Sequence, residues 1–137
     1  MALPIRKKRE AIFQILYSHN FLEVDKEVFM PFLMDELKTT KKNVFLIFEY
    51  FSNLLKNLQF IDSNIEKHST SYDFTRISKV ELSILRLAVN EVLFDALPIK
   101  IAVSEALRLT KKFANAQSIT YINAVLDSIY KDEYRTK

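Results

Sequence analysis

The chain contains no glycine, and that absence narrows both the folds and the functions open to it. Glycine supplies positive φ angles and close backbone approaches at no steric cost. Average usage is about 7 %, so a complete lack of it excludes glycine-rich phosphate loops and dinucleotide fingerprints. Two-residue hairpins lose their usual turn residue as well. With only 3 prolines and 49 % hydrophobic residues, the remaining sequence is rich in helix formers, and an all-α fold is expected. Its 137 residues suffice for one domain, residues 1–137, with a sizeable core, and are too few for two.

Several other functions are also disfavoured. No apolar stretch reaches the ~18 residues of a membrane span, because Lys, Glu, Asn or Asp interrupts every run. The N-terminal cations lead into Glu10 and Gln14, not into the continuous apolar segment of a signal peptide. Cysteine is absent, so disulfides and thiolate sites are excluded and a reducing cytoplasm is the expected location. The only histidines, His19 and His68, lack a second ligand at His-x₃-His spacing. Nothing resembles a nucleophile elbow, and acidic neighbours such as Asp35-Glu36 read as a solvated face. The expectation is a non-enzyme with no catalytic residue, metal or cofactor.

Charge is informative where it clusters. The net charge of +3 is modest, but Arg6, Lys7, Lys8 and Arg9 are consecutive at the start of an apolar helical run, Ala11 to Tyr17. Pro4 suits the opening of a helix, which puts the four cations in its first turn. Unpaired amides already make that turn positive, so acids would stabilise it and cations do not. A polyanion outside the chain is the natural reason for the arrangement. The competing reading is a solvated basic face.

Periodicity marks out the helices. The first is expected from about Pro4 to Ser18, with Ile5, Ile12, Ile15 and Leu16 facing the core and Arg6, Arg9, Phe13 and Tyr17 along another face. A second spans Asp25 to Leu37, where Pro31 predicts a kink or a late start. From Val44 to Ile65 apolar residues keep three-four spacing for about six turns, which predicts one long central helix. Ser78 and Glu81 have the spacing of a capping box, flanked by Ile77 and Leu82 at hydrophobic-staple positions, and that helix runs to about Phe94. Another covers Ile101 to Phe113, with Asn115 expected at its left-handed end. Ser118 is the expected cap of the last helix, whose Ile122, Val125, Leu126 and Ile129 face inward. Arg86, set among apolar residues, needs a partner, and Asn90, Glu91 and Glu105 are the candidates.

Two further basic groups are Lys38, Lys41 and Lys42, and Arg108, Lys111 and Lys112; the second lies near a helix C-terminus, where the dipole favours it. Beyond it, Gln117 to Asn123 offers amide and hydroxyl groups around Tyr121. An exposed tyrosine beside cations suits single-stranded nucleic acid, whose unstacked bases lie on aromatic faces; packing in the core or rim is the plainer alternative.

Three blocks of residues together resemble the NusB family of transcription antitermination factors. The first is Arg6-Lys7-Lys8-Arg9-Glu10-Ala11 through Gln14-Ile15-Leu16-Tyr17. The second is Ile77 to Glu91, with Val80-Glu81 and Ile84-Leu85-Arg86-Leu87-Ala88. The third is Pro98 to Asp127, including Glu105-Ala106, Lys112-Phe113 and Tyr121-Ile122-Asn123-Ala124-Val125-Leu126-Asp127, which is similar to the family's Phe-Val-Asn-Gly-Val-Leu-Asp. Residues 18 to 75 match only in helical character. The chain departs from the family pattern at Ser104, Ala114, Thr120 and Ala124.

The resemblance implies a compact all-helical fold of two small bundles packed together. It also implies binding of boxA RNA from ribosomal RNA leaders jointly with NusE, a small-subunit ribosomal protein, in the RNA polymerase antitermination complex. Carried over to this chain, Arg6, Lys7, Lys8 and Arg9 would meet phosphates or bases. Tyr121 would stack, with Lys112, Gln117 and Asn123 nearby, and Tyr17, Arg76 and Glu81 would face NusE. The free protein is expected to be a monomer or homodimer. A different class, a helical adaptor that binds only protein, is suggested by its 11 Phe and 6 Tyr. The RNA-binding domain attached to some RNA cytosine methyltransferases also resembles NusB and ranks last.

Overall fold

The computed structural model describes residues 3–135, with side chains as far as residue 132. Its helices are α1 (Ile5–His19), α2 (Lys26–Leu37), α3 (Lys41–Lys56), α4 (Leu58–His68), α5 (Lys79–Leu93), α6 (Ile99–Phe113) and α7 (Ala116–Arg135), with a 3₁₀ turn at Phe74–Arg76. Among the described residues there is no strand and no helix long and apolar enough to cross a membrane. The chain divides into two compact helical units, Met1–Lys56 and Asn57–Lys137.

In the first unit α3 packs against both α1 and α2. Val44, Ile47, Phe48, Phe51 and Leu54 of α3 are buried, the three-four stripe that periodicity predicts. α1 buries Ala11, Ile12, Phe13, Ile15 and Leu16. Ile5, expected in that stripe, is 60 % exposed; as the first helical residue it lies a turn and a half ahead of the packed segment. α2 starts at Lys26, not at Pro31, because the Asp25 side chain accepts a hydrogen bond from the Glu27 amide at 3.0 Å and caps the helix there. It ends at Lys38 in the left-handed region with φ 49°, a position that glycine fills in most proteins.

The long helix expected from Val44 to Ile65 is two helices. Asn57, at φ −99° and ψ 3°, sits in the bridge region and interrupts the hydrogen-bond ladder. Buried Leu54, Ile61 and Ile65 keep their spacing across the break, so the apolar pattern carries no trace of it. Asparagine is suited to such a position because its side chain competes for backbone groups.

The second unit is organised around α5, which contacts α4, α6 and α7. Every residue from Glu81 to Val92 is buried, the mark of a helix that is part of the core on all sides. The capping box forms as its spacing predicts: Ser78 Oγ accepts from the Glu81 amide at 3.1 Å, and Glu81 Oε1 accepts from the Ser78 amide at 3.2 Å. Ile77 and Leu82 are both buried beside it. Arg86 has a partner in Asp62 on α4, which its sequence neighbourhood does not point to. Its Nε donates to Oδ1 at 2.8 Å and Nη2 to Oδ2 at 2.9 Å, the bidentate fork that fits a guanidinium to a carboxylate.

The α6–α7 connection differs from expectation in a second way. Asn115 does not close α6 in a left-handed turn; its Oδ1 accepts from the Ser118 amide at 3.0 Å and caps α7. Ser118, the expected cap, is instead buried within the helix.

Asp62→Ala should therefore destabilise the protein by about 3 kcal/mol, since one member of a largely buried ion pair is removed. Ser78→Ala should cost about 1 kcal/mol through the lost cap. Urea unfolding read by circular dichroism checks both, with a lowered midpoint at unchanged slope as the expected result.

Candidate nucleic-acid interface

The first turn of α1 has the character its sequence suggests. Pro4 stands at the N-cap, no side chain caps the helix, and no acid lies in the first turn. Arg6 and Lys7 are exposed and Lys8 is half-buried. Arg9 is only 6 % exposed, which corrects the expectation of an outward-facing residue. At 100° per residue it falls three and four positions ahead of Ile12 and Phe13, on the buried side of the helix. Phe13 is likewise buried. The surface cations of this turn are thus Arg6, Lys7 and part of Lys8.

At the other end of α1, Tyr17 is 37 % exposed, with Phe13 at 6.4 Å and Phe21 edge-on at 5.1 Å. Together with Leu22, Val28 and Phe29 it lines a groove of about 350 Å³. Exposed Phe21, Leu22, Val28 and Phe32 extend this apolar surface. Of the other two residues assigned to a protein partner, Arg76 is exposed but Glu81 is 7 % exposed. Its carboxylate is engaged in the capping box, which corrects its expected place on a contact surface.

In the second unit Lys112, Gln117, Thr120 and Asn123 are all exposed. Lys112 Nζ lies over the Phe113 ring at 5.6 Å. Gln117 sits one turn ahead of Tyr121 on α7, whereas Asn123 turns into a groove of about 500 Å³ between α6 and α7, beside Lys100 and Ser104. Tyr121 itself is 5 % exposed, contrary to the expected open stacking face. The Tyr72 ring covers it with centroids 4.7 Å apart, and its hydroxyl meets Ser69 Oγ at 2.5 Å. Burial pushes the Tyr121 phenol above its ordinary value of 10.0, an effect partly offset by the Ser69 hydrogen bond. Tyr72, 39 % exposed, escaped the sequence reading because nothing in its local spacing sets it apart.

α7 is held to the C-terminal end of α4 by polar contacts. His68 Nδ1 lies 2.8 Å from Ser128 Oγ, and Lys67 Nζ donates to Asp132 at 3.1 Å. The Lys67 hydrogen bond, with its charge, keeps the Asp132 carboxyl below the usual range. These contacts position Tyr121 relative to the segment after α4.

The NusB family model matches residues 6–131. The chain belongs to the NusB family. It is 38 % identical over 130 residues to the transcription antitermination protein NusB of Natranaerobius thermophilus, covering 90 % of this chain and 92 % of that protein. It is 32 % identical over 132 residues to the protein of the same name from Dehalococcoides mccartyi, covering 96 % and 92 %. The solved structure of T. maritima NusB superposes with a TM-score of 0.79 at 29 % identity, over 96 % of this chain and 94 % of that one. A chain in the crystal structure of a plectonemic RNA supercoil shares the fold, with a TM-score of 0.83 at 24 % identity over 97 % and 98 %. NusB-family proteins are non-enzymatic transcription antitermination factors.

The Tyr121 environment predicts a pH effect. A phenol whose folded-state value is raised contributes stability below its unfolded value, about 10, and that contribution is lost as pH rises through the folded value. Tyr121→Phe cannot ionise, so its urea midpoint should fall less than the wild type's between about pH 8 and about pH 10.5.

Proposed function

We propose that the chain binds single-stranded boxA-type RNA of ribosomal RNA leaders together with NusE, within the complex that keeps RNA polymerase from terminating early. The first turn of α1 carries this reading: a helix N-terminus without a side-chain cap or an acid, bearing exposed Arg6 and Lys7. Backbone amides, the helix dipole and the two side chains all favour a phosphate there. Arg6 and Lys7 make the phosphate contacts, Lys8 flanks them, and Arg9 acts through its place in α1. Lys112 supplies a further cation, and Gln117 and Asn123 supply hydrogen-bonding groups. Exposed Tyr17 and exposed Arg76, each in its own unit, are assigned to contacts with NusE. The relatives named for antitermination support the process, and the RNA supercoil crystal containing a chain of this fold is consistent with the ligand class.

A second reading, an adaptor that binds protein alone, draws on the exposed Phe21, Leu22, Val28 and Phe32, an apolar patch of the sort that marks interaction sites. Gel-shift titration with boxA-like and scrambled RNA, each with and without NusE, separates the two. Preference for boxA-like RNA supports the first, and NusE capture without any RNA shift supports the second.

Phosphate contacts make affinity fall with salt, by about 0.7 in log–log slope per neutralised phosphate on a single strand. Arg6→Ala and Lys7→Ala should each weaken binding to the boxA-like and scrambled RNAs by similar factors, and each should reduce the slope by about 0.7. A salt-independent wild-type affinity would count against the proposal.

A further inference from the structure

We infer that Tyr72, in the segment between α4 and the 3₁₀ turn, is the base-stacking residue of this chain, and that buried Tyr121 is the layer beneath it. The inference rests on the RNA-binding reading above and adds a residue and a ligand part to it: an unstacked nucleobase, not a phosphate.

The geometry is specific. Tyr121 cannot present a face to a base, because it is 5 % exposed and Tyr72 lies 4.7 Å away, tilted by 58°. Tyr72 is 39 % exposed, so its ring touches Tyr121 and still reaches solvent. The backbone that carries it is held by a short hydrogen-bond chain. Ser69 Oγ donates to the Tyr72 carbonyl at 2.8 Å, which uses the only proton on that hydroxyl. The Tyr121 hydroxyl is therefore the donor in its 2.5 Å contact with Ser69. Tyr121, Ser69 and Tyr72 form one ordered unit, and an aromatic ring ordered in advance loses less entropy on binding.

The surroundings favour a base over a phosphate. Residues 69–73, Ser-Thr-Ser-Tyr-Asp, contain no cation, and Asp73, the next residue in the chain, is exposed. Exposed Thr70 and Ser71 on the same segment, with Gln117 and Thr120 on α7 just ahead of Tyr121, offer donors and acceptors for base edges. Exposing Tyr121 instead would require the Tyr72 ring to swing away, which gives up the contact between the two rings.

The test is fluorescence-anisotropy titration of a labelled boxA-like single-stranded RNA with the full chain and NusE. Tyr72→Ala should weaken binding roughly 5- to 150-fold, the range for loss of one base–aromatic stack. Tyr72→Trp should retain affinity, and because the natural chain has no tryptophan, quenching of its emission by RNA, with the wild-type chain and NusE as the blank, would report stacking at that position. Arg6→Ala serves as the control for RNA binding itself. If Arg6→Ala weakens binding while Tyr72→Ala binds as tightly as wild type or tighter, Tyr72 is a bystander or a cover, and this inference fails while the RNA reading stands. Unchanged Tyr72→Trp emission at saturating RNA overturns it too, even if the alanine variant does not fold. If the wild type binds no RNA, both readings fall.

Discussion

A helix shielded from water on every side must satisfy its polar groups from within the protein, and α5 sets the terms for the second unit in this way. Its first turn is closed by the reciprocal Ser78–Glu81 bonds. Ser83 Oγ donates to the Lys79 carbonyl at 2.7 Å. Arg86, whose charge would be costly unpaired, takes a bidentate partner in Asp62. That last contact reaches another helix, so it fixes the rotation of α4 against α5 as well as the charge. Dispersion and burial hold these helices together, but they are non-directional; the fork between guanidinium and carboxylate adds direction.

From α4 the constraint passes to the candidate site around Tyr121. The C-terminal turn of α4 is tied to α7 through His68 and Ser128 and through Lys67 and Asp132. The segment that leaves α4 carries Ser69 and Tyr72, and α7 carries Tyr121. The Tyr72–Tyr121 contact is therefore made where two fastened helices meet, and a slip of either would separate the rings. In this unit the polar contacts that stabilise the fold also define the candidate site.

Local features were the most legible in the sequence. The capping box at Ser78, the inward stripe of α7 and the uncapped cationic start of α1 depend on residues within a turn or two of one another, and each formed as its spacing suggested. What could not be read depended on distant neighbours or on direction. Asp62 is 24 positions from Arg86, so no helical periodicity links them. The break at Asn57 leaves the apolar spacing intact, because periodicity records which side of a helix is buried and not whether the backbone continues. Arg9 and Tyr121 belong to recognisable motifs, but a motif specifies residue types and leaves their exposure open. Tyr72 had no motif at all, and it takes its significance from what lies under it.

The missing glycine shows how such a chain still turns. Left-handed backbone is required at two described positions, and Lys38 with φ 49° and Ala96 with φ 54° supply it. A Cβ in that region costs roughly 1–2 kcal/mol, so these turns are held by the helices around them and not by their own preference. The N-terminus of α1 is a comparable tension in electrostatic form. Cations in a first turn oppose the helix dipole by roughly 0.3–1 kcal/mol each at the surface, and an acid or a capping side chain there would relieve it. Either change would also place a negative charge or an occupied amide where a phosphate would bind. A first turn with neither an acid nor a side-chain cap is thus unfavourable for the isolated helix and favourable for a polyanion, and that opposition is the strongest reason to connect the first unit to RNA.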